Sequence, residues 1–105
     1  MQPGARMSLD DATQRVAALG YERVPLVGGR GEYARRGGIL DCFPAGAQAP
    51  MRVEWFGDEI ESIRSIDPAT QRSGAPLTRA LLLPASEFPL TAAVVLKAKR
   101  AAEAI

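Results

Sequence analysis

The first part of the chain has apolar positions at helical spacing. Ser8 and Asp11 stand before and within this run at the spacing of a capping box, and Gly20, a residue that commonly ends helices, follows it. The sequence therefore predicts a short helix over residues 8–19. The apolar positions that recur every three or four residues are Ala12, Val16 and Leu19.

From Tyr21 onward the pattern changes to short segments of β-branched, aromatic and aliphatic residues, separated by glycine and proline. Most of the connections have hairpin length, which indicates a mainly antiparallel sheet. The stretch at 74–76, Gly-Ala-Pro, is interpreted as a loop. We expect strands over residues 23–27, 32–36, 39–43, 51–56, 60–66 and 78–83.

One predicted strand has an irregular apolar pattern. Ile60, Ile63 and Ile66 recur every three residues, which fits neither strict strand alternation nor a long helix. An extra residue in a strand shifts the alternation by one position. We therefore expect a β-bulge within residues 60–66.

The end of the chain is rich in helix formers. After Pro89, residues 91–105 carry apolar positions along one side, so they predict a second helix. This helix has no stop signal, and we expect the chain to be an excised piece of a longer protein. The predicted fold class is α+β, with a mainly antiparallel sheet and an N-terminal and a C-terminal helix in a single domain over residues 1–105.

The composition narrows the classes of function that the chain could have. The chain has 105 residues, 47% of them hydrophobic, which suits one domain with a core. Thirteen Lys and Arg against twelve Asp and Glu leave a formal charge of +1, whereas a general nucleic-acid binder is usually more basic. Eleven of the cations are arginines, the side chains best suited to bidentate pairing with carboxylates. This choice favours ion-paired contacts with another protein.

The candidates for catalytic chemistry are few. Cys42 is the single cysteine and the chain has no histidine, so we expect no disulfide, metal site, cofactor or enzymatic activity, and a reducing cytoplasm. Cys42 is interpreted as a core residue, and Asp58 with Glu59 as part of a hairpin turn. The glycine-rich residues 28–31 lack a phosphate-binding motif. No apolar run is long enough to cross a membrane.

Strand alternation groups arginine, carboxylate and aromatic side chains. Within residues 51–56 it puts Arg52, Glu54 and Phe56 on one face, with Val53 and Trp55 on the other. If the neighbouring strands pair, two further arginines could join this face. The pattern resembles a protein-binding surface, but solvated surface arginines are the more ordinary explanation, and a nucleic-acid-binding surface is a further alternative. The two further arginines are Arg23 and Arg36.

Four strings occur in a fixed order between residues 20 and 89: GYERV, GEYARRGGILDCFP, MRVEWFGDEIESIRSIDPATQRS and LLLPASEFP. Together they resemble the UvrA-interaction domain shared by UvrB and the bacterial transcription-repair coupling factor, Mfd. The GYERV start, the Gly37-Gly38 pair and the TQRS run are more similar to the Mfd type.

This resemblance implies a docking module that binds UvrA and recruits it in transcription-coupled nucleotide excision repair. We expect a monomer, because the sequence contains no zipper and no dominant hydrophobic stripe on the sheet, and no direct binding of nucleic acid, membrane or small-molecule substrate. The UvrB type has an arginine where this chain has Ala34, and Arg35 should point to the opposite face, so one ion pair could be missing. The UvrA-binding residues that the resemblance implies are Arg23, Arg36, Arg52, Glu54 and Phe56.

Overall fold

The structure is a computed structural model that describes residues 7–84 and 94–97. Helix α1 spans Leu9–Ala18. The Ser8 side chain caps it by accepting a hydrogen bond of 3.0 Å from the backbone N–H of Asp11. Gly20 follows the helix with a φ of 95°, a conformation that glycine adopts readily. The N-terminal helix predicted over residues 8–19 is thus confirmed.

In the part of the chain that the structure describes, eight strands form two sheets. The large sheet has the order β1-β2-β3-β4-β5-β6, with β1 parallel to β2 and every other neighbouring pair antiparallel. The small sheet pairs β7 with β8 in antiparallel fashion. The predicted mainly antiparallel sheet is confirmed. The strands are β1 Glu22–Arg23, β2 Glu32–Arg36, β3 Ile39–Cys42, β4 Met51–Phe56, β5 Glu59–Ile66, β6 Ser73–Leu77, β7 Arg79–Leu82 and β8 Val94–Lys97.

The two ends of the large sheet differ from the prediction. The strand predicted over residues 23–27 is instead the two-residue strand Glu22–Arg23, and Pro25, which has no N–H to donate, lies two positions after it. The loop predicted at residues 74–76 is wrong, because Ser73–Leu77 forms edge strand β6. Pro76 is compatible with a strand at this position because an edge strand leaves one row of N–H groups unpaired.

The C-terminal helix expected over residues 91–105 is wrong at Val94–Lys97, which form β8. Val94 and Leu96 are buried and Val95 and Lys97 are exposed, so this segment follows the two-residue period of a strand. Pairing with β7 outweighs the helix propensity of the surrounding sequence. The rest of the predicted helix lies outside the described residues.

The bulge expected in the 60–66 segment is confirmed. The pairing of β4 with β5 shifts at the Glu54/Trp55 step, where β5 holds one extra residue, Glu61. A second shift occurs between β5 and β6. The first shift moves the alternation of β5 by one position, so that Ile60 and Ile63, three residues apart, both pack in the main core. Ile66 is buried as well, but it lies outside that cluster.

One main core lies against a single face of the large sheet, called here the core face. Helix α1 and the small sheet both contribute buried side chains to it. No helix in the described part of the chain is long and apolar enough to span a membrane. The most deeply buried of these residues include Val16 of α1, Leu40, Val53 and Ile63 of the large sheet, and Leu82 and Leu96 of the small sheet.

Candidate protein-docking surface

The face of the large sheet opposite the core, called here the outer face, carries two rows of side chains. Because paired residues on adjacent strands point to the same side, the strand register defines these rows. The first row consists of Ala34, Asp41, Arg52 and Arg64. The second row consists of Arg36, Ile39, Glu54 and Ser62, and Phe56 lies beyond it along β4.

One end of the outer face is covered. Val27, Ala34 and Phe43 form a second, smaller apolar cluster there. The side-chain amide of Gln71 donates a hydrogen bond of 3.1 Å to the carbonyl oxygen of Val27. This bond joins the loops before β2 and after β5. The covered end is therefore part of the structural framework and does not offer a surface to a partner.

The other end of the outer face is open. Phe56 is 74% exposed, a high value for a large apolar side chain in a folded domain. Arg36 is also exposed, whereas the remaining side chains are half-buried. We define the candidate surface as the set Arg36, Ile39, Glu54, Phe56 and Ser62.

Glu54 and Phe56 share this surface, as strand alternation predicts. A carboxylate oxygen of Glu54 accepts a hydrogen bond of 3.2 Å from the hydroxyl of Ser62 on β5. Glu54 and Phe56 also line a shallow depression together with Trp55 and Glu61. An acid and an exposed aromatic ring are thus presented together next to a concave area.

Arg52 is buried in the row next to this surface, although sequence alternation alone grouped it with Glu54 and Phe56. Its Nε donates to Oδ1 of Asp41 at 2.8 Å, and its Nη2 donates to Oδ2 at 2.9 Å. The side chain of Arg52 is only 10% exposed and that of Asp41 only 2%. The hydrogen bond to Asp41 is the main reason that the pKa of Arg52 is raised. The pair is a buried, bidentate salt bridge.

The remaining terminal nitrogen of Arg52 also points inward. Its Nη1 donates to the carbonyl oxygen of Gln71 at 3.2 Å. Gln71 has a φ of 63°, an uncommon conformation for a residue other than glycine, and its own side chain donates to two carbonyl oxygens. Arg52 therefore ties β4 to the loop before β6, and all three of its side-chain nitrogens are bonded within the domain.

Arg36 is the exposed arginine of this network. Its Nη2 lies 3.8 Å from Oδ2 of Asp41, and its side chain is 52% exposed. One buried carboxylate is therefore shared by a tightly bound arginine, Arg52, and a loosely bound one, Arg36. Most of the hydrogen-bonding capacity of Arg36 faces solvent.

The structure does not bring Arg23 to the candidate surface. Strands β1 and β2 pair, but Arg23 is in register with Tyr33, whose side chain is buried in the main core. Arg36 lies three positions further along β2 and on the opposite face. Arg23 is exposed at the edge of the sheet, away from the residues with which it was grouped.

The two positions next to Arg36 clarify how this chain departs from the UvrB type. Arg35 points to the core side, as expected from alternation, and its Nη1 lies 2.7 Å from Oδ1 of Asp10 on α1. Ala34 is only 4% exposed and packs with Val27 and Phe43. The site at Ala34 is thus filled by apolar neighbours, and Arg35 does not substitute for an arginine there.

Sequence reasoning missed Asp41 as a site residue. The sequence feature that could have identified Asp41 is an acid within the apolar segment Ile-Leu-Asp-Cys-Phe at residues 39–43, because an unpaired charge would be costly there. The register of β3 with β4, which puts Asp41 opposite Arg52, identifies the partner. Alternation within each strand did not supply that register.

The other candidates for chemistry have structural roles. Cys42 is fully buried, and burial, with a smaller contribution from the charge of Asp41, raises the pKa of its thiol to about 12. Asp58 occupies the turn between β4 and β5. In the described residues, no three His, Cys, Asp or Glu side chains are grouped so as to hold a metal ion.

The glycine-rich loop is occupied by the protein's own carboxylate. The backbone N–H groups of Gly28 and Gly29 donate to Oε1 of Glu32 at 2.9 and 3.0 Å. These are the donors that a phosphate oxygen would need. The loop is thus held by an internal anion, in agreement with the missing phosphate motif.

Comparisons with known proteins show which proteins this chain is similar to. A family model described as the UvrB interaction domain matches residues 1–88. The transcription-repair-coupling factor of Haemophilus influenzae is 44% identical over 89 residues, or 85% of this chain, and that of Escherichia coli is 41% identical over 95 residues, or 90%. The protein of the same name from Myxococcus xanthus is 39% identical over 102 residues, or 97% of the chain. The chain spans only 8% of the length of each of these relatives.

Proposed function

This chain belongs to the UvrB interaction domain family, and we propose that it is a protein-docking module that binds UvrA through its candidate surface. The observation that carries the proposal is the exposure of Arg36 and Phe56 on the same open end of the outer face, with Glu54 beside them. Arginine and aromatic side chains are the commonest anchors of protein interfaces. The module recruits UvrA in transcription-coupled DNA repair.

Each residue has a distinct proposed role. Arg36 donates hydrogen bonds to a carboxylate of UvrA, since its terminal nitrogens are exposed and only loosely paired with Asp41. Phe56 supplies apolar contact area, and Glu54 pairs with a cation of the partner. Arg52 supports the surface from the neighbouring row through its pair with Asp41. Arg23, at the sheet edge, makes a peripheral contact.

We propose that the module itself catalyses no reaction. It is a single domain within a longer protein of the transcription-repair-coupling type, since the chain spans only 8% of the length of such relatives. It acts as a monomer in the cytoplasm, where transcription and repair meet. The inert environment of Cys42 is compatible with a binding role.

The arrangement of the arginines favours a protein partner over a nucleic acid. Arg52 directs its fork to Asp41, and Arg35 pairs with Asp10 on the core side, so neither is available to a phosphate backbone. Glu54 on the candidate surface would in addition repel phosphates. A surface that binds nucleic acid nonspecifically needs several free cations.

Complex formation tests the proposal. The purified domain is mixed with UvrA from the same organism and separated by size-exclusion chromatography, while a labelled mixed-sequence DNA is titrated in parallel by fluorescence anisotropy. We expect co-elution with UvrA and no saturable DNA binding at low salt. DNA binding that falls steeply with salt, without co-elution, would support the nucleic-acid alternative.

A further inference from the structure

We propose that Asp41 is a positioning residue of the candidate surface, which anchors the buried Arg52 and holds the exposed Arg36 where it can meet a partner carboxylate. The inference rests on the proposed function of this surface. It concerns a residue that is itself 2% exposed and cannot contact the partner directly.

The contacts of the two Asp41 oxygens are unequal. Arg52 takes both of them at hydrogen-bond distance, 2.8 and 2.9 Å. Arg36 reaches only Oδ2, at 3.8 Å, which is a charge contact outside hydrogen-bond range. Arg36 is therefore attracted to a defined position without using its donors, and they remain available for a second carboxylate.

The charges around Asp41 support the same positioning role. Two guanidinium groups share one carboxylate, which leaves one excess positive charge, and the exposed member, Arg36, presents it to solvent. Without Asp41, Arg36 and Arg52 would repel each other across the outer face. Such a site suits an acidic partner residue, since a second carboxylate completes the pairing of Arg36.

The backbone explains why Asp41 can serve both arginines. Asp41 lies directly opposite Arg52 on β4, while Arg36 lies opposite Ile39, two positions away on β3. Arg36 and Asp41 are thus diagonal neighbours on adjacent strands. Such positions lie about 7–8 Å apart, a distance that the long side chain of an arginine can span. The tight turn at Gly37, with a φ of 54°, fixes this register.

A double-mutant cycle in binding to UvrA tests the inference. The four proteins are the wild type, Asp41→Asn, Arg36→Ala and the double variant. We expect Asp41→Asn to weaken binding about tenfold in the wild-type background and less than about twofold in the Arg36→Ala background. Equal weakening in both backgrounds, or none in either, would overturn the inference.

Asp41→Asn removes the carboxylate partner of a buried arginine, so its effect on folding needs a control. The paired variant Asp41→Asn/Arg52→Gln removes both charges and keeps hydrogen-bonding groups, and it enters the same cycle with Arg36→Ala. Circular dichroism and urea unfolding establish which variants are folded. The expected coupling to Arg36 is the same for the paired variant.

The arginine side-chain Nε–H signals in NMR give a readout that does not depend on UvrA. Asp41→Asn should shift the signals of Arg36 and Arg52 and leave that of Arg15, on α1, unchanged. If the wild type fails to bind UvrA, the proposed function fails, while these signals still decide whether Asp41 positions Arg36. An unshifted Arg36 signal would overturn the positioning role.

Discussion

Arg35 and Arg36 are adjacent in the sequence but serve opposite faces of β2. Arg35 pairs with Asp10 of α1 on the core side, at 2.7 Å, whereas Arg36 extends on the outer face towards Asp41. Strand geometry imposes this division because successive side chains alternate. Substituting Arg35 and Arg36 one at a time therefore gives a matched test of the two faces, because the two residues have the same type and charge and are adjacent in the chain.

We expect Arg36→Ala to weaken UvrA binding by about 1–3 kcal/mol, because a charge-assisted contact at the interface is lost. Arg35→Ala should leave UvrA binding unchanged. Isothermal titration calorimetry measures both. If the two substitutions weakened binding equally, the assignment of the docking surface to the outer face would be wrong.

Arg35→Ala has its own expected effect on stability. Its salt bridge to Asp10 is partly exposed, and such pairs contribute up to about 1 kcal/mol. Urea unfolding should show a loss within that range. The loss should disappear when Asp10 has already been replaced by alanine.

Phe56→Ala should weaken UvrA binding by about 1–3 kcal/mol because an apolar anchor is removed. The free energy of unfolding should change by less than about 0.5 kcal/mol, since Phe56 is largely exposed. Leu26→Ala is the matched control, because Leu26 is another exposed large apolar residue outside the candidate surface. A large loss of stability in Phe56→Ala would show that the ring is packed in the folded domain.

Arg52→Ala should lower the free energy of unfolding by about 3–5 kcal/mol, because it leaves Asp41 as an unpaired buried charge. The control is Arg64→Ala, which removes an exposed arginine directly opposite Arg52 on β5 and should change stability by less than about 0.5 kcal/mol. Urea unfolding followed by circular dichroism measures both. Similar stability of the two variants would contradict the burial of the Arg52–Asp41 pair.

Cys42 should make stability fall in alkali. Because the thiol is buried, its pKa is raised from 9.0 to about 12, so the folded state retains a proton that the unfolded state releases. This contribution is complete below pH 9 and is lost as the pH rises towards about 12. The free energy of unfolding should decrease over this range more steeply in the wild type than in Cys42→Ala.

The same burial predicts that Cys42 is unreactive in the folded domain. At pH 8, a thiol reagent such as dithiobis(nitrobenzoic acid) should modify Cys42 only after urea unfolds the chain. Rapid modification of the native domain would contradict the burial of the thiol.

The sequence predicted those elements whose signals are local. Helix α1 follows from its cap and its apolar spacing, and β2 and β4 have the predicted bounds because turn residues flank them. Strand β8 could not be predicted in this way, since its strand conformation depends on pairing with distant β7. Strand β6 likewise exists because β5 supplies its partner.

The same distinction applies to the candidate surface. Alternation within β4 correctly placed Glu54 and Phe56 on one side, because that relation is internal to one strand. It did not show that Arg52 is buried, because burial depends on Asp41 from β3 and on the carbonyl of Gln71 from a loop. Nor did it give the register of β1, which separates Arg23 from Arg36.

The most direct test of the central proposal is a calorimetric titration of the domain into UvrA from the same organism, with Arg36→Ala/Phe56→Ala and Arg35→Ala measured alongside. We predict saturable binding by the wild type and by Arg35→Ala, and binding weakened at least about thirtyfold in the double variant if the two losses add. Absence of binding by the folded wild-type domain, or full binding by the double variant, would contradict the account.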